Sequence, residues 1–583
     1  MLKTKIVCTL GPASSDESVL REMMLAGMNV ARFNFSHGDY PSHKEKADLI
    51  KKLRAELDLP VALMLDTKGP EIRLGDFKNG KVTLRAGQTF TLCADEIEGD
   101  ENQVHFTYPG LYRDITIGTR ILIDDGLIEL RAVSMDEQKI VCEVLNGGPV
   151  SNHKGVNVPG VKLSVPFLSE KDRADIAFGV REDFDFIAAS FTQSAQDILS
   201  IRAELASLGA NDSMRIIAKI ENAAGVANAD EILEASDGIM VARGDMGVEI
   251  PMEDIPVIQK QLISKCYNAG KQVITATQML ESMTRQPRPT RAEITDVANA
   301  IYDGTSAIML SGETAAGLYP VESVRTMARI AARAESDIDY RARFGEIHQK
   351  TYKNVTNAVS HAACTTAIDL RAAAIITVTK SGATARQISR YRPDIPIIGC
   401  SPDAKTCRFM NMSWGVTPVL MQEKTNTDEL IAHALEVASA KKLIADGDVV
   451  VITAGIPVGI SGTTNMLKVE IVGNVLVTGT GVTHKSVCGN LCVCHNDEEI
   501  KREFHDGDIL VAPSVSSELL ESLRHAAGII CELGGKDSYA AMVGEILNIP
   551  VIVGAVGATR ILHSGTTVTM DSSRGLVFSG TLE

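Results

Sequence analysis

Short β-branched runs recur through the first 311 residues, and most of them are separated by helix-length stretches. The pattern predicts strands at Thr4–Leu10, Met28–Phe35, Val61–Asp66, Phe184–Phe191, Ile216–Glu221, Gly238–Arg243, Val273–Gln278 and Ser306–Ser311. Seven of the eight connections have room for a crossover helix, for example Asp39–Leu57 and Pro251–Asn268. Alternating strand and helix favours a parallel sheet, and eight repeats favour a closed (β/α)8 TIM barrel. An open doubly wound sheet competes, and counting elements does not exclude it.

The connection between the third and fourth runs has another texture. Lys81–Leu84, Ile121–Ile123 and Leu127–Leu130 read as antiparallel strands, with Asp124-Asp125-Gly126 as a hairpin turn. We read residues 70–165 as a β-barrel lid domain inserted into the barrel of residues 1–69 and 166–340, with Lys68-Gly69-Pro70 and Gly160–Pro166 as hinges. Strand–helix alternation resumes with Ala374–Thr379, Ile395–Cys400, Val449–Thr453 and Val469–Val472, a C-terminal α/β domain over residues 341–472. Residues 473–583 are rich in Gly and Val, with strands at Ile509–Ala512 and Val551–Val553, and form an extra β/α domain.

Composition narrows the classes. The chain has 583 residues, 45% hydrophobic and 23% charged, which fits several packed cores and excludes a disordered chain. A net charge of −16 argues against a sequence-independent nucleic-acid binder, because phosphate neutralisation needs surplus Lys and Arg. No apolar run approaches the roughly 20 residues of a membrane helix. The first residues run directly into a strand pattern, and eleven cysteines without a regular framework fit reduced thiols, so the expectation is a cytoplasmic protein without a membrane partner.

Active sites of parallel barrels assemble where strands end. Six predicted strands end in polar groups: Arg32-Phe33-Asn34-Phe35-Ser36, Asp66-Thr67, Lys219-Ile220-Glu221, Arg243-Gly244-Asp245, Thr275–Gln278 and Ser311-Gly312-Glu313. Residues two apart share a face, so Lys219 and Glu221 point together, as do Arg32, Asn34 and Ser36. Any one of these ends alone reads as the start of a solvated loop; six together read as a site. Glu221 and Asp245 suit an octahedral Mg2+ or Mn2+ rather than zinc. Gly244 opens a helix start whose free N–H groups can hold a carboxylate or phosphate. A divalent ion with Lys219 and Arg32 around a small anion favours phosphoryl transfer or enolate stabilisation. Asn34, Ser36, Asp66 and Thr67 bring hard oxygens with one formal charge, which fits a monovalent cation better than a divalent one, although on spacing alone a hydrogen-bonded barrel interior explains them better.

The runs Ala31–Gly38, Leu65–Arg73, Ala218–Asn222, Ala242–Gly247, Ala276–Met283 and Met309–Ala315 closely resemble those of pyruvate kinase, in the same order, across residues 1–472. The resemblance implies phosphoryl transfer from phosphoenolpyruvate to ADP, giving pyruvate and ATP in the last step of glycolysis. It implies that Glu221 and Asp245 bind the divalent metal and that Arg32 contacts the substrate phosphate. Lys219 would stabilise the transferring phosphoryl group and the enolate. Gly244, Asp245 and Thr277 would line the carboxylate site, and Asn34, Ser36, Asp66 and Thr67 would bind K+. Arg73 and Lys154, with Asp125, would meet the nucleotide, and Thr277 and Ser311 with water are candidates for protonating the enolate. Glu71 stands where some members resembling this chain carry a lysine whose ammonium replaces the monovalent cation, so K+ dependence is expected.

Thr379, Lys380, Ser381, Gly382 and Thr384 match the family's effector loop, with Gly459–Asn465 as a candidate second wall, which implies a sugar phosphate or AMP as activator. Residues 473–583 resemble the swivelling phosphohistidine domain of enzymes that use phosphoenolpyruvate. Tyr539 stands where that family has its histidine, which weakens a phosphocarrier role because a phenol titrates near pH 10. Cys488, Cys492, Cys494 and His495 match no standard zinc spacing. Arg285, Arg288 and Arg291 read as a solvated loop or, by resemblance, as part of a homotetramer contact. The rival readings are a Mg2+-dependent lyase or aldolase on a related barrel, and a phosphocarrier scaffold.

Overall fold

A computed structural model of the chain describes residues 2–161, 163–347, 354–456, 464–473 and 475–580. It forms two compact units: Met1–Cys364 with Thr377–Thr425 and Thr453–Met466, and Thr365–Ile376 with Asn426–Ile452 and Leu467–Glu583.

In the first unit eight strands close a parallel barrel in sequential order. They are Lys5–Thr9, Met28–Asn34, Ala62–Asp66, Phe186–Ala189, Arg215–Ile220, Gly238–Ala242, Gln272–Ala276 and Ala307–Leu310. All eight strands are found; the third ends at Asp66 as expected and the other seven end one or two residues earlier. Alternation sorts the side chains. Val7, Val30, Met64, Phe186, Ile217, Met240, Ile274 and Met309 fill the interior, while Ile6, Ala31, Leu63, Ile187, Ile216 and Ile239 pack outward under the helices. Helix Glu17–Ala26 shows the local logic. Asp16 accepts the N–H groups of Ser18 and Val19, Gly27 ends the helix at φ +122°, and Leu20, Met23 and Met24 are buried. Each such side chain contributes about 2 kcal/mol of burial.

The N-terminal end of the barrel is sealed by the segment around helix Ala404–Met410. Phe409 and Met412 join the interior cluster, and Arg408 pairs with Asp185 at 2.6 Å and Asp183 at 2.7 Å. Lys5 is buried and donates to the Val416 carbonyl at 2.7 Å. Burial pulls its ammonium down from 10.5 to about 8, against the opposing charge of Glu335. Between those values the unfolded chain holds a proton that the folded one does not, so stability rises with pH across the window and the burial penalty is complete below it. Lys5→Met therefore has an advantage over the wild type at pH 7 that shrinks, on the order of 3 kcal/mol, by pH 10. Urea midpoints of both proteins at the two pH values check this, and an unchanged difference would refute it.

The insertion is a seven-stranded sheet with a separate two-stranded ribbon, Gly148–Ser151 against Lys81–Leu84. It buries its own core, including Phe90, Phe106, Leu130 and Val144. Sequence reading found three of these strands. It missed others such as Thr89–Cys93 and Lys139–Asn146, which pair antiparallel. At the first hinge Gly69 has φ +69°, and a β-carbon there would meet Ser190 and Phe191 at 3.0 Å.

Further along, Ile397–Ser401 and Val416–Leu420 pair in parallel, the latter strand unforeseen. In the second unit an eight-stranded sheet has the parallel run Ser486–Val493, Ile509–Ala512, Gly528–Cys531 and Val551–Val553 at its centre. Among the described residues no helix is long and apolar enough to cross a membrane.

Candidate active site

The interior columns change character at the C-terminal end of the barrel. Val30 gives way to Arg32, Met64 to Asp66, Ala188 to Ser190 and Ile217 to Lys219 and then Glu221. Register places Thr9 beside Arg32, Asn34 beside Asp66, and Asp66 beside Ala188. These groups interlock. Asp66 is 1% exposed and is shared by the Arg32 Nε at 2.5 Å and the Lys219 Nζ at 3.1 Å. Ser190 donates to Asp66 Oδ1 at 3.1 Å and accepts from Lys219 Nζ at 2.7 Å. Arg32 Nη1 donates to Thr9 Oγ1 at 2.8 Å. Burial opposes the charge of Lys219, but Asp66 and Glu221 outweigh it and hold the ammonium above its ordinary range. The same cations, with Arg32 foremost, hold Asp66 below the carboxylate range against its burial.

Glu221 is also buried. Its Oε1 lies 3.0 Å from Lys219, and its Oε2 accepts the Phe191 N–H at 2.6 Å. Burial pushes its carboxyl up to about 7, Lys219 resists, and the like charge of Asp245 adds to the rise. Glu221 and Asp245 are near enough for their charges to repel, and two hard carboxylates so placed are donors that would hold Mg2+ or Mn2+.

The monovalent group is more committed than its sequence implied. Both Asp66 oxygens already meet cations, Asn34 Oδ1 accepts the Ser36 N–H at 3.0 Å, and Thr67 Oγ1 accepts the Ser190 N–H at 3.1 Å. Asn34 and Ser36 remain part-exposed, and a K+ ion held here would share Asp66 with Arg32 and Lys219. Glu71 pairs with Arg73 Nε at 2.8 Å.

Beyond the sixth strand, helix Arg243–Glu249 begins at once, and Gly244 donates to Thr277 Oγ1 at 2.8 Å. The expectation of a free N–H at Gly244 is corrected: the Thr277 hydroxyl occupies it. Thr277 and Gln278 sit at φ +66° and +54°, and a β-branched residue in that region is strained. Arg243 pins the turn, donating to the Ala276 carbonyl at 3.1 Å and the Thr277 carbonyl at 2.7 Å while pairing with Asp296 at 2.7 Å. Ser311 follows the eighth strand with its hydroxyl buried and unbonded. Glu313, read from sequence as a rim group, turns instead to the N–H groups of Leu280 and Ser311. Ser190 and the bracing role of Arg243 were missed; the i+2 continuation of the fourth strand was the available signal for Ser190.

The inserted domain presents one edge to this rim. Ile72–Arg73 pairs with Gly155–Asn157, which places Arg73 opposite Gly155 and next to Lys154. Arg73 Nη1 donates to the His153 carbonyl at 2.9 Å, and Lys154 pairs with Asp124 at 2.7 Å. Asp125 stands at φ +55° in the hairpin, and burial, then Asp245, then Asp124 raise its carboxyl against Lys154 and Arg73. Asn157 reaches Glu249 at 3.3 Å.

In the Thr379–Thr384 loop Gly382 has φ +74° and donates to Thr379 Oγ1 at 3.1 Å, Lys380 pairs with Glu423, and Ser381 is part-exposed. The hydroxyls of Thr384 and Thr464 meet at 2.6 Å. The remainder of the second wall, Gly459–Thr463, lies outside the described residues. In the second unit Tyr539 opens a helix capped by Ser538, and the Cys492 and Cys494 sulfurs are 3.6 Å apart. Arg285, Arg288 and Arg291 are exposed.

A barrel rim of fixed cations and buried carboxylates, faced by a second cationic edge on an inserted domain, defines a phosphotransferase of the β/α-barrel class. Known proteins specify it further. The family model "Pyruvate kinase, barrel domain" matches residues 1–324, "Pyruvate kinase, alpha/beta domain" matches 357–470, and "PEP-utilising enzyme, mobile domain" matches 504–575. The chain is 49% identical over 582 residues to pyruvate kinase of Geobacillus stearothermophilus, covering 99% of each chain. It is 47% identical to that of Bacillus licheniformis, covering 100% of this chain and 99% of the other. A crystal structure of a pyruvate kinase from Cryptosporidium parvum superposes with a TM-score of 0.76 at 41% identity, covering 81% of this chain and 96% of that one. The chain belongs to the pyruvate kinase family, and its reaction is phosphoryl transfer from phosphoenolpyruvate to ADP, giving pyruvate and ATP.

Proposed function

We propose that the Asp66–Lys219–Glu221 cluster is the reaction centre of this transfer; the observation that carries the reading is a buried lysine locked between two carboxylates. In this reading Arg32 and Lys219 receive the substrate phosphoryl group, and Thr277 and the Asp245 backbone receive its carboxylate, with Gly244 lining the site. Glu221 and Asp245 would hold Mg2+ or Mn2+, which when bound would supply charge neutralisation to the transferring group. As the phosphorus–oxygen bond to the enol breaks and the bond to the ADP oxygen forms, negative charge grows on the enolate oxygen. Lys219 stabilises that charge without reorganising, because Asp66 and Ser190 already fix its ammonium. A lysine held above its ordinary range is a poor acid, so the proton that carbon accepts comes from the Thr277–Ser311 side through water. Of the two, Ser311 has the uncommitted hydroxyl, since Thr277 already donates to the Ala276 carbonyl at 2.7 Å. Arg73, Lys154 and Asp125 meet the nucleotide phosphates and their metal. A phosphorylated activator at Thr379–Thr384 and a homotetrameric assembly complete the reading.

K+ held by Asn34, Ser36, Asp66 and Thr67 is the sharpest external requirement. A coupled assay with Mg2+ present is expected to lose at least about tenfold in kcat when K+ is replaced by tetramethylammonium, which is too large for an oxygen cage. Unchanged turnover would remove the cation from the mechanism.

A further inference from the structure

We propose that a narrow cleft between helix Ile255–Ala269 of the barrel and the segment Arg386–Trp414 is a binding site for a phosphate group, separate from the loop Thr379–Thr384. The cleft is tight, leaving about 20 Å3 for the centre of a water-sized group, and it is partly open to solvent. Lys271, Arg386, Arg390 and Arg392 line it with the hydroxyl residues Ser306 and Ser413, and no carboxylate does. That is a local surplus of four cations in a chain of net charge −16.

Arg392 is the observation that asks for an anion. It is 6% exposed, and its Nη2 donates to the Gly304 carbonyl at 2.9 Å and Ser306 Oγ at 3.2 Å, while Nε and Nη1 have no partner. Leaving charged donors buried and unbonded is costly, and a tetrahedral oxyanion satisfies a guanidinium fork directly. Arg392 sits at φ +49°, and its guanidinium lies 4.6 Å from the Trp414 ring centre and 5.7 Å from that of Tyr267. Burial lowers Arg392 and Arg386 to about 10, so both stay charged at neutral pH. Lys271 is tied to the carbonyls of Leu233, Glu234 and Ser236 at 2.5–2.9 Å and contributes field rather than contact. Gly270 leaves the Arg390 stem room, since a β-carbon there would lie 3.2 Å from Arg390 Cδ. Arg386 Nη1 also reaches the Ser381 carbonyl at 3.4 Å, so an occupant of the cleft would be coupled to the neighbouring loop.

Calorimetric titration of the full-length protein with inorganic phosphate and with glycerol 1-phosphate tests this. The wild type is expected to bind one equivalent per chain in the cleft. Arg390→Gln weakens it at least tenfold, Arg390→Lys weakens it less, and Lys380→Ala leaves it intact, with basal kcat unchanged in the Arg390 variants. Tighter glycerol 1-phosphate binding assigns the site to a phosphomonoester, and equal affinities assign it to free phosphate. Should Arg390→Gln unfold, Arg386→Gln and a phosphate-soaked wild-type crystal carry the test. No binding, binding lost only in Lys380→Ala, or displacement by an equal concentration of chloride would overturn the proposal.

Discussion

Lys219→Met is expected to lower kcat by about 10³-fold or more, a loss of roughly 4 kcal/mol of transition-state stabilisation. The methionine keeps the stem and its packing but removes the charge held between Asp66 at 3.1 Å and Glu221 at 3.0 Å. Because the enolate charge exists only while the phosphoryl group is leaving, kcat falls far more than KM rises. The substitution also destabilises the fold, since two buried carboxylates lose a shared counter-ion. Breaking such a pair costs about 3–5 kcal/mol, moderated here because Arg32 still meets Asp66. Circular dichroism is therefore expected to show a native spectrum with a lowered melting temperature. Turnover within tenfold of the wild type would end the proposed role.

Glu221→Gln has the second-largest effect, with the opposite sign on the metal-free fold. The amide keeps the shape and removes a buried negative charge that Asp245 repels. Its metal-free melting temperature is expected to match or exceed that of the wild type, while the Mg2+ concentration for half-maximal activity rises at least about tenfold and kcat falls about 10²-fold. A Mg2+ titration followed by thermal melting separates this from a packing defect. If Mg2+ raised the melting temperature of both proteins equally at the same concentrations, Glu221 would not be a ligand.

The barrel was legible because its strands carry two signals at once. Interior columns such as Val30–Arg32–Asn34 and Ile217–Lys219–Glu221 turn from apolar to charged within one repeat of two, which marks both the strand and the end that does chemistry. Ser190 gave only half of that signal: it continues the interior column from Ala188, but an uncharged serine beside small residues does not mark a site until register brings it between Asp66 and Lys219. The left-handed Thr277 was equally hidden, because nothing in Thr-Gln marks a positive φ. Arg243 was visible as a charge, but its task of holding two carbonyls depends on the seventh strand lying alongside. The interleaving of Thr365–Ile376 and Asn426–Ile452 with the terminal residues also escapes hydrophobic patterning, since periodicity reports elements and not their company.

The plug of Phe409 and Met412 at the barrel floor has a consequence for engineering. A gene fragment ending after the eighth repeat would leave an open, oily well and two stranded aspartates, Asp183 and Asp185, that normally bind Arg408. Chimeras between relatives should accordingly inherit the stopper and its socket from the same parent.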